Sequence, residues 1–175
     1  MAKGRAIQPA EPGVRCESCH GPGSDHAAKP ARSNIVNPGR LTPEAQNSVC
    51  GECHRMPPAK GVETNWNNPW NTRHQPVYLS RSACFASGKL SCGTCHQPHA
   101  DKLADVSAVC RSCHATPRHK VAVAGRACES CHMPLVRPSE YLGFRNHWIG
   151  IYNPNNPLRP FSNRSNASLI GRPPP

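Results

Sequence analysis

Cys16-Glu17-Ser18-Cys19-His20 recurs unchanged as Cys128-Glu129-Ser130-Cys131-His132, and three more Cys-x-x-Cys-His units lie between them, starting at Cys50, Cys92 and Cys110. The pentapeptide decides the fold, because little else in the chain supplies a core. Three Phe, three Tyr and three Trp stand against 20 Pro and 13 Gly in 175 residues, and the mean hydropathy is -0.62. Such a composition leaves a conventional apolar interior short of side-chain volume. Buried apolar surface must come from something the five units hold. Eleven cysteines in so short a chain imply disulfides, metal sites or a covalent cofactor, and spacing chooses among them.

Two cysteines three residues apart can add to the two vinyl groups of one haem, and the histidine that follows is then held beside the iron. Zinc knuckles use the same cysteine spacing, but do not require the histidine. With 10 His in 175 residues, a His after all five pairs would arise by chance with a probability of roughly 10⁻⁶. The expectation is five covalently attached haem c groups. Their thioether cysteines are Cys16 and Cys19, Cys50 and Cys53, Cys92 and Cys95, Cys110 and Cys113, and Cys128 and Cys131. The proximal ligands are His20, His54, His96, His114 and His132.

Five further histidines remain, His26, His74, His99, His119 and His147, which is enough for every iron to take two His. Axial ligands on opposite faces of a haem need Cα atoms about 12 Å apart, whereas three residue steps from His96 to His99 span at most ~11 Å. His99 must therefore serve a different haem if it serves any. His119 and His26 could span the distance to the haem of their own motif only by skirting its edge, so both are expected to ligate neighbours. Met56 and Met133 follow a proximal His too closely to reach the far face of the same haem, though either could ligate a neighbour. Cys84 is the odd cysteine: a buried free thiol first, with an intermolecular disulfide or an iron contact as alternatives.

Local signals predict short helices that lead into the motifs. Thr42-Pro43-Glu44 combines an N-cap, a proline at the first helical position and a first-turn acid, predicting a helix over 43–53. Asp105 caps a similar segment into Cys110, and Ser139-Glu140 starts a short helix that delivers His147. No alternating strand stands out. The expected fold is mostly irregular coil with short α-helices organised around covalent haems, without substantial β-sheet. Residues 1–148 form the pentahaem module, and 149–175 a Pro/Asn-rich extended tail. The tail's sequons at Asn163 and Asn166 are short enough to be chance matches.

The run from Val14 through Cys16-Glu17-Ser18-Cys19-His20-Gly21-Pro22-Gly23-Ser24-Asp25-His26 resembles the multihaem cytochrome superfamily that includes the tetrahaem cytochromes of ammonia oxidisers and the pentahaem nitrite reductases. Ser91 to His99 and Cys128 to Pro134 resemble the doubled motifs of larger bacterial multihaem proteins. The resemblance covers about 14–148, and it implies that a His a few residues past a motif ligates another haem. Pentahaem nitrite reductases carry a Lys in place of one proximal His. All five motifs here end in His, so the resemblance does not supply a catalytic haem.

Function classes follow from these residues. The formal charge of +11 raises nucleic acid or an anionic membrane as partners. Five bis-His haems with ionised propionates would bring it to about +6 oxidised and +1 reduced, and no nucleic-acid fingerprint is present. No run approaches the ~18 apolar residues of a membrane helix. The first nine residues contain no signal-peptide core, so a periplasmic or extracellular location implies either a removed signal or a chain that is part of a longer polypeptide. Electron transfer by a closely packed array of bis-His haems is the leading expectation. The alternative is an oxidoreductase acting on a small nitrogen or sulfur oxyanion at one open haem. Expected partners are redox proteins, with self-assembly into a filament or docking in a larger redox complex also open.

Overall fold

The computed structural model describes residues 13–100, 103–119, 123 and 125–161. Two compact units share the chain, Met1–Pro38 and Gly39–Pro175. The sequons at Asn163 and Asn166, and the rest of the expected tail beyond Phe161, lie outside the described residues, as do the first nine residues.

In the first unit, the leading motif is itself the helix α1 (Cys16–His20), followed by α2 (Ser24–Ala28). Gly21 between them has φ 73, a left-handed value that glycine adopts without a Cβ clash, and it turns the chain after His20.

The second unit carries the other four motifs, each on a short helix. They are α3 (Pro43–His54), α6 (Cys92–Cys95), α7 (Val106–Cys113) and α8 (Cys128–His132). Two caps read from the sequence form as expected. The Thr42 Oγ1 accepts from the Ala45 N–H at 3.3 Å, and the Asp105 carboxylate from the Ala108 N–H at 2.9 Å. Ahead of α6, the Ser91 N–H donates to Thr94 Oγ1 at 3.0 Å.

Between α3 and α6 the chain forms a 3₁₀ turn (Pro69–Arg73), α4 (Gln75–Leu79) and α5 (Ala83–Ala86). Here lies the small apolar core. Val77, Tyr78 and Leu79 of α4 are buried, with Phe85 and Val136, and α4 packs against α3. Trp66 sets its ring edge-on to Tyr78 at 5.1 Å and to Trp148 at 5.0 Å.

One local expectation fails. Ser139-Glu140 does not start a helix: it ends strand β1 (Leu135–Ser139) and enters a turn to the antiparallel strand β2 (Leu142–Arg145). His147 is delivered by the exit of a hairpin. A second antiparallel pair, β3 (Tyr152–Asn153) and β4 (Asn156–Pro160), falls within the stretch read as extended tail. Helix and coil still dominate, with two sheets of two strands each. The hairpins form because non-local partners hold them. β1 packs on the Pro69–Arg73 turn, and the buried Asn146 donates through Nδ2 to the Pro157 and Leu158 carbonyls at 2.8 and 3.1 Å.

Candidate metal centres

The motif helices of the second unit meet in sequence order, with α3 on α6, α6 on α7 and α7 on α8. Where α3 packs on α6, the neighbouring Cys50 thiol and burial hold the Cys92 pKa up. Cys92 also donates to Asn47 Oδ1 at 3.1 Å. Burial, and then the nearby Cys128 and Cys95 thiols, push Cys110 up to about 11. The second motif thus touches the third, the third lies within electrostatic reach of the fourth, and the fourth touches the fifth. No two of the eleven cysteines form a disulfide, and burial raises the Cys84 pKa.

Histidine tautomers are fixed by carbonyls. A carbonyl oxygen only accepts, so an imidazole nitrogen facing one must carry the proton, and the other nitrogen keeps its lone pair for a metal. His20 Nδ1 donates to the Val36 carbonyl at 2.6 Å, His26 Nδ1 to Ala31 at 3.1 Å, His132 Nδ1 to Gly150 at 2.8 Å and His147 Nδ1 to Arg145 at 2.9 Å. At His20 and His132 the clamp is reciprocal. The Val36 N–H returns a bond to the His20 carbonyl at 3.1 Å, and the Gly150 N–H one to His132 at 3.2 Å. Identical pentapeptides are therefore held the same way by partners distant in sequence.

Imidazoles also face one another. His96 and His147 have ring centres 6.2 Å apart and planes only 17° from parallel, and His119 and His132 have centres 6.2 Å apart at 54°. Two imidazoles bound through Nε2 to opposite sides of one metal, at ~2.0–2.1 Å each, have centres about 6 Å apart. His54 and His74 line a single cavity of about 420 Å³ with Cys53, Arg73, Gln75 and Phe144. Burial lowers the pKa of His74, His96 and His147, the last to about 4, which keeps each ring in the neutral form a metal needs. Of the remaining expected ligands, His26 lies in α2, His114 caps α7, and His99 sits in the turn after His96.

These residues fit covalent haem better than zinc. Cysteine pairs on a helical turn, imidazoles with Nε2 available and rings spaced for one ion match a cofactor that brings four equatorial nitrogens of its own. Among the described residues no three His, Cys, Asp or Glu side chains converge as a zinc ion requires.

Over 93 residues the chain is 30% identical to the multiheme cytochrome MtrA of Shewanella baltica (strain OS185), a match covering 51% of this chain and 22% of that protein. The match supports a multihaem c-type cytochrome. The chain spans about a fifth of the length of that relative, and the match adds nothing for a closer tie to the pentahaem nitrite reductases or for a filament. No family model and no solved structure matches the chain. Among the described residues, no helix of this chain is long and apolar enough to cross a membrane.

Some supporting residues were invisible in the sequence. Ser82, 1% exposed, donates through Oγ to the His147 carbonyl at 2.9 Å and accepts from the Ile149 N–H at 2.8 Å. Asn146 accepts from the Trp148 N–H at 3.0 Å. Both grip the backbone on either side of His147. No motif marks them.

Proposed function

We propose that this chain is an electron-transfer protein that binds five haem c groups and makes and breaks no substrate bond. The observation that carries the reading is the serial packing of the motif helices in the second unit, α3 on α6, α6 on α7 and α7 on α8. Thioether anchors on helices packed this way hold neighbouring cofactors edge to edge. Bound haem supplies the one-electron ferric–ferrous couple, and His/His ligation favours low potentials.

The chain's own residues attach, ligate and orient. His54 pairs with His74, His96 with His147 and His132 with His119, and within the same unit His99 is left for the iron held by His114. Backbone carbonyls on Nδ1 lock the ring orientation and raise ligand basicity. The partners are redox proteins, and the location is periplasmic or extracellular, where c-type haem is attached.

Expression with a haem-attachment system tests this. The purified protein should gain the mass of five haems, show a low-spin spectrum, titrate over a broad potential range and leave its Soret band unmoved by cyanide or nitrite. Fewer than five haems, or a cyanide-reactive iron in the unmodified protein, would reject the closed five-haem reading.

A further inference from the structure

Two motif helices of the Gly39–Pro175 unit are held by side chains of the motif helix before them. Gln46 and Asn47 lie one turn ahead of Cys50 on α3, and both reach the third motif. Gln46 Oε1 accepts from the Gly93 N–H at 2.7 Å, and Oδ1 of Asn47, a residue only 3% exposed, accepts from the Cys92 thiol at 3.1 Å. Ser107 lies one turn ahead of Cys110 on α7 and reaches the fifth motif. Its Oγ accepts from the Cys128 N–H at 3.0 Å and donates to the Glu129 carboxylate at 3.2 Å. Residues three or four apart share a helix face. The face that presents one motif's first cysteine therefore also grips the start of the next motif helix.

This grip is not a property of the pentapeptide. In α1, which repeats the sequence of α8, the Glu17 carboxylate accepts from the Gly23 N–H at 2.7 Å, inside its own segment, whereas Glu129 is engaged from α7. Gly93 is what lets Gln46 approach, since an added Cβ would stand 2.8 Å from Gln46 Oε1. α6 also packs on α7, yet among the described residues no hydrogen bond joins those two helices.

We propose that Gln46, Asn47 and Ser107 are positioning residues for the haem of the following motif, and that they divide this unit into two rigid haem pairs, second with third and fourth with fifth. This rests on the five-haem reading. The Cys92 thiol stands where a thioether sulfur would be, which has no proton to give, and the Asn47 amide then serves it by turning its Nδ2–H towards it. Hydrogen bonds behind the attachment points orient a cofactor and tune it.

The test uses the five-haem protein and its Q46L, N47L, G93A, S107A and N47L/S107A variants, with haem content by mass, ferric electron paramagnetic resonance and Soret circular dichroism. H74A, H147A, H99A and H119A each remove one low-spin signal and so assign the second, third, fourth and fifth haems. Q46L, N47L and G93A should shift the signal of the third haem and leave that of the second, on whose helix two of the changes lie. S107A should shift the fifth and leave the fourth. G93A removes no hydrogen-bonding group and favours a helix, so its effect comes through the displaced Gln46. The dichroic couplet of neighbouring haems should lose amplitude in N47L and in S107A, and the two losses should add in the double variant. If N47L does not hold five haems, G93A and S107A decide in the same way. A shift of the haem on the substituted helix in place of its neighbour, or unchanged signals in variants that hold five haems, would overturn the proposal. Fewer than five haems in the parent would instead fail the reading beneath it.

Discussion

Asn146 uses every polar atom of its side chain. Its Nδ2 donates to two carbonyls of β4, its Oδ1 takes the Trp148 N–H, and the residue is 0% exposed. An Asn146→Ala change unpairs three half-buried backbone groups and leaves a void, so we expect a loss of about 2 kcal/mol in denaturant unfolding. A loss below about 0.5 kcal/mol would show that the network does not hold the segment. His147 is next in the chain and gives a different readout. His147→Ala should keep all five haems yet turn one of them high-spin and cyanide-reactive, because the ring facing His96 is gone. Were a side chain other than His147 the partner of His96, the spectrum would stay low-spin. The sequence placed His147 among ten candidate ligands, but nothing in it tied that ring to His96. Their proximity is set by Ser82, Asn146 and a hairpin, none of which has a local pattern.

At the scale of elements, helix starts were legible and strands were not. Thr42 and Asp105 act on N–H groups three residues ahead, so sequence contains the whole interaction. Ser139-Glu140 has the same look as a cap but lies at the end of β1. There Val136 is buried and β1 packs on the Pro69–Arg73 turn, contacts whose partners lie more than sixty residues away. Pro138 inside β1 further disguised the strand. The element with most of the apolar core, α4, also contains a flaw. Tyr78 is 0% exposed, and among the described residues its hydroxyl has no hydrogen-bond partner. Burial raises its pKa, as it does that of Tyr152, which lies beside it. An unfolded tyrosine ionises near pH 10 while the folded one stays protonated, so the stability present below pH 10 is lost as pH rises above it. Tyr78→Phe should raise stability at pH 7 by about 1 kcal/mol and flatten that alkaline decline. A decline as steep as the parent's would place its origin elsewhere, with Tyr152 the next group to change.

For the whole molecule, the sequence contained the reason for the fold more plainly than the fold itself. The shortage of apolar residues was evident from composition, and the structure agrees. Among the described residues the buried apolar side chains are Pro76, Val77, Tyr78, Leu79, Phe85 and Val136, all within the Gly39–Pro175 unit. Six such side chains, clustered around α4 and β1, cannot offset the conformational entropy of ordering a unit of this length. The motif helices α6, α7 and α8 have no buried residue at all. Helices of four to eight residues are unstable in isolation, so these turns need something to pack against. On the five-haem reading proposed above, the flat apolar face of a covalently attached macrocycle would supply it at each motif. A chain produced without haem attachment should therefore show a largely unfolded far-ultraviolet circular dichroism spectrum and no cooperative melt, whereas the five-haem form melts as a folded protein. Replacing Cys110 and Cys113 by Ala, which removes a single anchor in the middle of the series, should lower the melting temperature and break the overlap between the third and fifth sites together. An apoprotein with native-like dichroism and a cooperative transition would show that the polypeptide alone holds the fold, and that the five motifs are mounted on the structure rather than building it.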